Sequence, residues 1–396
     1  MKIIANKADM GIFGSPNLFG DNPLPPFTKG DSLNKLRRST IFDEEEEVEL
    51  LSEREKFFLE MKLSGEPEVH SNIHIWYQVW QEFGERLNWL VNFSPYVSVG
   101  IDRQPGRPAG SEATDIWGCH WIYPLESHDG QCVKHPIASP LIKGVRGLSF
   151  WSELRNYQPP KPDNHTNWEQ AKKNIEKTKS EGKVAWGGTD HGFIFLRLTY
   201  LRGYENLMLD IAEGRPELDE LIGIIEAYWF EVVKRWVELG VDAIGFGDDL
   251  GLQNALPISP TAWRKYIKPS YQRIFSYCRS NGVYVALHSD GYIVDIIPDL
   301  IECGVSRLNP QDLVNGIDNL ARLARGKVFL HLDIDRQRIN VFGKPEEIDA
   351  HIFNCIRTLG SPKGGLSLIW YVFPPTPIEN IEAGARAMDK YATYWS

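Results

Sequence analysis

The sequence has 396 residues, 42% hydrophobic and 24% charged, close to ordinary globular usage, which excludes a largely disordered or collagen-like chain. Its net charge is −10 with histidine neutral, and it has no basic block, so binding to a nucleic-acid backbone is not expected. No apolar run approaches the roughly 18 residues of a membrane helix, and five cysteines, an odd number in a long chain, point to free thiols in a cytoplasmic setting.

Residues 1–10 lack an apolar core followed by small residues, so no signal peptide is expected. Residues 1–65 read as an N-terminal extension ending in a first helix, and residues 66–396 as one domain. Within the extension, residues 17–29 are rich in Pro, Gly and Asn, and Glu44 to Glu47 form a solvated acidic run. Residues 52–62 read as a helix, with capping-box spacing of Ser52 and Glu55 and an apolar face of Phe57, Phe58 and Met61.

From residue 192 strands and helices alternate. GFIFLRL (192–198) reads as a buried strand and 216–239 as a helix with Leu218, Leu221, Ile224, Ile225, Tyr228 and Val232 on one stripe. Five more strands follow, VDAIGFGDD, VYVALHSDG, VSRLNPQ, KVFLHLDID and GGLSLIWY, each followed by a helical pattern. Six such units in a row argue for a parallel sheet, and two more from the earlier part, one near residues 96–101, would close a single (β/α)8 TIM-type barrel. An open doubly wound sheet is the alternative; no G-x-G-x-x-G or Walker loop supports nucleotide binding.

In such a barrel the active site lies at the C-terminal strand ends. There the chain places Asp248, Asp249, Gln253 and Asn254; His288, Ser289 and Asp290; Asn309 and Gln311; His331, Asp333, Asp335 and Arg336; and Trp370 and Tyr371. One Asp after a strand caps the next helix, but several polar residues on neighbouring strands exceed what capping needs. Crowded carboxylates raise one another's pKa, so one can stay protonated as an acid. Cys119, His120, His128, Cys132 and His135 do not have a common zinc spacing and read as a hairpin with incidental Cys and His.

The strings GFGDDLGLQNALPISPTAWRKYIKP, VALHSDGYIVDIIPDLIECGVSRLNPQ, FLHLDID and TPIENIEA resemble the uroporphyrinogen decarboxylase superfamily. SEREKFFLEMKLSGEPEV resembles its first helix, TDIWGCHW its D-x-W-G segment with Asp115 and Trp117, and LRGYENLMLDIAEGRPEL its central helix entry, so that the resemblance spans about residues 51–391. It implies a (β/α)8 barrel and one of two chemistries. One is cofactor-free decarboxylation of a porphyrinogen, the other methyl transfer involving a corrinoid protein, usually with zinc. The decarboxylases' R-x-A-G-R segment is absent; Arg103 to Arg107 are a loose echo of it. The zinc methyltransferases' H-x-C motif reads His288-Ser289-Asp290 here, and Trp370 stands at the late position where one branch has His and the other Cys.

The leading expectation is therefore transfer of a methyl group from a small methyl ether or methylamine to a corrinoid protein. Asp248 or Asp249 would be the general acid, and His288 with Asp290 would be ligands of a divalent metal such as Zn or substrate orienters. Asp333 would be a second carboxylate, Gln253 and Asn309 would be hydrogen-bonding positioners, and Gln311, His331, Trp370, Asp115 and Trp117 would be further substrate-binding residues. The alternative is decarboxylation, with Arg197, Arg202 and Arg336 binding carboxylates; a third reading is a barrel that binds a small ligand without chemistry. Barrels of this family often pair, so a homodimer is among the expectations.

Overall fold

The computed structural model describes residues 51–126, 130–137 and 152–396; the expected extension over residues 1–50 and His128 lie outside them. Eight strands form one all-parallel sheet: β1 (Ser71–Ile75), β2 (Val97–Ile101), β6 (Trp186–His191), β7 (Ala243–Gly247), β8 (Tyr284–Ser289), β9 (Arg307–Pro310), β10 (Phe329–Asp333) and β11 (Leu366–Val372). Their order, β2-β1-β11-β10-β9-β8-β7-β6, sets chain neighbours side by side, and the sheet curls into an α/β barrel of TIM type. Among the described residues no ladder joins β6 to β2. Between those two edges the chain inserts an antiparallel sheet of β3 (Ser111–Thr114), β4 (His120–Tyr123) and β5 (Gln131–Lys134).

The central strands are buried on both faces, whereas β1, β2 and β9 alternate buried and half-buried positions. β7, AIGFG, has no exposed position, and β8 ends in a fully buried run. The long helix Pro216–Glu238 starts with Pro and two acidic residues in its first turn and buries Leu218, Leu221, Ile222, Ile225, Trp229, Val232 and Val233 against the sheet. No helix among the described residues is long and apolar enough to cross a membrane.

The first helix, α1 (Glu53–Met61), has the capping box expected of Ser52 and Glu55. Its Phe57 and Met61 pack on Ala243, Phe329, Trp186 and Tyr284, the first residues of four strands, so α1 closes the bottom of the barrel. A bidentate pair of Arg54 with Asp242 (2.9 and 2.7 Å) fixes it beside the start of β7.

One strand lies elsewhere than expected. The run 192–198 is the start of a helix, Phe195–Arg202, and the strand before it is the polar, glycine-containing WGGTDH of β6. A short apolar run does not distinguish strand from helix. Here the decision is made by Asp248, far along the chain, whose carboxylate caps that helix.

The loops after β7 and β8 touch backbone to backbone. A Cβ at Gly251 would lie 2.3 Å from the Tyr292 nitrogen, and one at Gly291, which has φ +77°, would lie 2.2 Å from the Gly251 oxygen. Gly291→Ala is therefore expected to cost about 1–3 kcal/mol or more, with both steric overlap and backbone strain against it. Urea unfolding measures this, and an unchanged midpoint would contradict the contact. All five cysteines are free thiols.

Candidate active site

The C-terminal strand ends bring polar residues of β6, β7, β8 and β10 to one mouth. Asp249 Oδ1 accepts the Asp290 N–H at 3.2 Å and lies 3.5 Å from His191 Nε2 and 3.8 Å from His288 Nε2. Asp290 Oδ1 is 3.4 Å from the same His288 nitrogen and accepts from Arg336 Nη2 at 2.7 Å. Arg336 also approaches Asp333 Oδ2 at 3.3 Å. Three carboxylates, two imidazoles and one guanidinium thus form a continuous network.

Asn309, on β9, orients His288. Its amide NH2 donates to the His331 carbonyl, which turns Asn309 Oδ1 toward His288 Nδ1 at 2.7 Å. With Nδ1 as the donor, Nε2 faces Asp249 and Asp290. A neutral ring would aim its lone pair at two carboxylates, so the ring is either protonated or lends that pair to a cation.

Electrostatics follow from this packing. Burial disfavours a charged His288, but Asp290 and Asp249 outweigh it and push its pKa up to about 9. His191 is raised in the same way, burial being overcome by Asp249. Burial also disfavours a charged Asp249, but the neighbouring imidazoles hold its carboxyl down to about 2. Asp333 differs. Burial dominates there, Arg336 relieves it only in part, and Asp290 adds repulsion, so its carboxyl is pushed up to about 7. Neither oxygen of Asp333 accepts a hydrogen bond among the described residues, and a small cavity lined by Gln311, Asp335 and Arg336 lies against it.

Asp249, His288 and Asp290 each offer a ligand atom within 4.8 Å of the others. One nitrogen and two oxygens suit a divalent cation such as zinc, and three protein ligands would leave a position for substrate. The Nδ1–H bond to Asn309 is the outer contact that orients a metal-binding histidine, so the residues fit the ion the resemblance implies. A second such group, Asp312, His351 and Cys355, is fully buried; His351 Nε2 bonds Asp312 at 2.7 Å, and Asp312 also lines the small cavity against Asp333.

Several expected site residues are placed elsewhere. Asp248 is buried and turned from the mouth: Oδ2 accepts from the Ile194 and Phe195 N–H groups (3.0 and 2.8 Å) and from the Tyr271 hydroxyl (2.7 Å), and Oδ1 from the Leu196 N–H (2.7 Å). Burial pushes its carboxyl up and these bonds oppose the shift; three of them cap the helix Phe195–Arg202 and the fourth ties it to Tyr271 of the helix Lys268–Ser280. Both oxygens of Asp248, expected as a candidate acid, are thus engaged in structural hydrogen bonds. Trp370 is buried against Gly384 of the outer helix layer, because alternate residues of β11 face opposite sides; its neighbour Tyr371 lies beneath Arg336, 5.7 Å from ring centre to Cζ.

Arg202 is fully buried with Asp210 (2.7 Å) and the Ile137 carbonyl (3.0 Å), away from the mouth. Asp115 organises its own turn through the Trp117 and Cys119 N–H groups and pairs with Arg197 at 3.1 Å, while Trp117 packs edge-on against Tyr228. Gln253 is exposed on the loop after β7. Gln311, by contrast, stays at the site: it lines the cavity against Asp333 and accepts the Gly291 N–H at 2.9 Å. His331 lies lower in the barrel, bonded to Ser367 at 2.7 Å. The sequence reading missed His191, which ends β6; the signal was the TDH of WGGTDH, hidden by placing the strand six residues too late.

A family profile described as "Uroporphyrinogen decarboxylase (URO-D)" matches residues 148–391. No curated protein matches the chain. Among solved structures, a methyltransferase from Methanosarcina mazei is similar at 19% identity and TM-score 0.48, over 70% of this chain and 76% of that one. A B12-independent methionine synthase from Shewanella sp. W3-18-1 is similar at 13% identity and TM-score 0.36, over 60% and 69%.

Proposed function

The chain belongs to the uroporphyrinogen decarboxylase family, and from that premise we propose that it is an enzyme that removes a methyl group from a small methyl ether or methylamine and passes it to the cobalt of a separate corrinoid protein. One observation favours this over porphyrinogen decarboxylation. The arginines that would grip several carboxylates are already engaged by aspartates: Arg197 by Asp115, Arg202 by Asp210, and Arg336 by Asp290 and Asp333. The mouth is instead a cluster of carboxylates, imidazoles and one guanidinium whose charges pair with one another, leaving no free cationic grip for several carboxylates among the described residues.

In this reading the methyl–heteroatom bond breaks with its electron pair left on the heteroatom, and the Asp333 carboxylic acid supplies the proton that neutralises it. Arg336 positions Asp333, and Asn309 positions His288. A divalent cation held by Asp249, His288 and Asp290 would polarise the same heteroatom. The test offers methyl ethers and methylamines together with reduced cobalamin. Growth of the methylcobalamin absorbance supports the proposal; release of CO2 from uroporphyrinogen without methyl transfer overturns it.

A further inference from the structure

Below the mouth lies a second charged group that the reaction does not use. Arg307 precedes Asn309 by two residues on β9, so both side chains face the barrel interior. Its guanidinium crosses that interior to lie 5.9 Å from the ring centre of Trp186 on β6 and 5.6 Å from that of Phe329 on β10. Among the described residues no oxygen accepts from it, and its Nε is buried without a hydrogen bond. Glu60 of α1 feels its charge but forms no ion pair with it.

Arg307 is half-buried and its Nε has neither water nor a partner among the described residues, which is unfavourable for a cation; burial indeed lowers the Arg307 pKa. The surroundings leave the missing partner to a ligand. His331 stands one layer up, bonded to Ser367 at 2.7 Å, and burial together with Arg307 itself holds it well below the usual histidine range, so it is neutral. A neutral imidazole, a serine and an unpaired guanidinium between aromatic rings suit one anion with an apolar body.

We propose that Arg307 is the anchor for a single carboxylate of the substrate, bound in the lower barrel. The identity of that substrate as a methyl donor rests on the function proposed above; the anion site does not. Arg307 and Asn309 lie two residues apart, about 7 Å along the strand, so the carboxylate and the reacting end of the substrate would occupy two successive levels of the barrel. The substrate class is thus a compact monocarboxylate carrying its methyl group at the far end. One carboxylate is held here, against the several a porphyrinogen presents.

Two probes of equal shape test this, 4-methoxybenzoate and the uncharged 4-methoxybenzamide, by calorimetric titration and thermal shift on the whole chain. The expected result is that the benzoate binds and raises Tm while the amide does neither. In Arg307→Met the benzoate should bind about 10- to 100-fold more weakly, the loss expected of a charged hydrogen bond, and Tm without ligand should hold or rise. Arg307→Lys should keep part of the affinity, and Glu60→Gln all of it. Equal binding of benzoate and amide, full affinity in Arg307→Met, or no benzoate binding by the wild type overturns the anchor. A lower Tm in Arg307→Met without ligand would make Arg307 structural and overturn it too. Arg307-dependent binding in a protein that transfers no methyl group would retain the anchor and reject the reaction.

Discussion

Asp290→Asn is expected to lower methyl transfer by about 10²–10⁴-fold and to lower zinc content with it. Asparagine keeps the shape, so the loss would come from charge. Asp290 lies 3.4 Å from His288 Nε2 and 2.7 Å from Arg336, and it is the largest favourable influence raising His288 to about 9. That value has a consequence for the metal. A ligating imidazole must be neutral, so below about pH 9 the ion has to displace one proton, and affinity should fall about tenfold per pH unit. Wild-type zinc affinity should therefore climb with pH and level off near 9. In Asp290→Asn the plateau should arrive at lower pH and lie lower, since His288 loses its stabilising anion and the ion loses a hard oxygen. Zinc titrations across pH and elemental analysis of both proteins measure this. A metal-free wild type that turns over normally in chelator would remove the ion from the mechanism and leave acid catalysis alone.

The parts of the site that were legible in the sequence share one property: the strand that carries them is apolar and the chemistry follows it directly. VYVAL before His288 and KVFLHL before Asp333 announce their strands, and parallel strands face their ends one way, so convergence of His288, Asp290 and Asp333 follows from the pattern. β6 offers no such signal. WGGTDH pairs its glycines with a helix and a neighbouring strand, and Gly187 lies against Trp236, so its fit depends on contacts 50 residues away.

Adjacent residues at a strand end pose a different difficulty. Asp248 and Asp249 are chemically alike, and the distant N–H groups of Ile194, Phe195 and Leu196 together with the Tyr271 hydroxyl decide which one is spent on structure. Trp370 and Tyr371 divide in the same way, by a single step of alternation. The arginines divide by partners distant in the chain, such as Asp115 for Arg197. Arg307 passed as a strand residue because its want of a partner is a property of the barrel interior, which depends on strands distant in the chain.

Asp333 yields the second large effect, readable in both stability and rate. Its carboxyl is raised to about 7 in the folded chain, chiefly by burial, against about 3.9 when unfolded. Between those values the native state holds a proton that the unfolded state has released. Stability attributable to Asp333 is thus highest below pH 4 and declines as pH rises to 7, by about 4 kcal/mol at most over three pKa units. Asp333→Asn cannot ionise, so above pH 7 it should be more stable than wild type, and the gap should close as pH falls toward 4. Rate should move the other way. The wild-type kcat should fall above about pH 7 as the acid form is lost, whereas the variant should be about 10²–10⁴-fold slower and flat across the same range. Urea unfolding at several pH values, beside kcat profiles of both proteins, separates the two roles. A variant that keeps the wild-type pH profile would place the proton donor on another group. A variant that is slow and flat but no more stable at high pH would mean that Arg336 keeps Asp333 ionised, and the carboxylate would then act by charge and not by proton transfer.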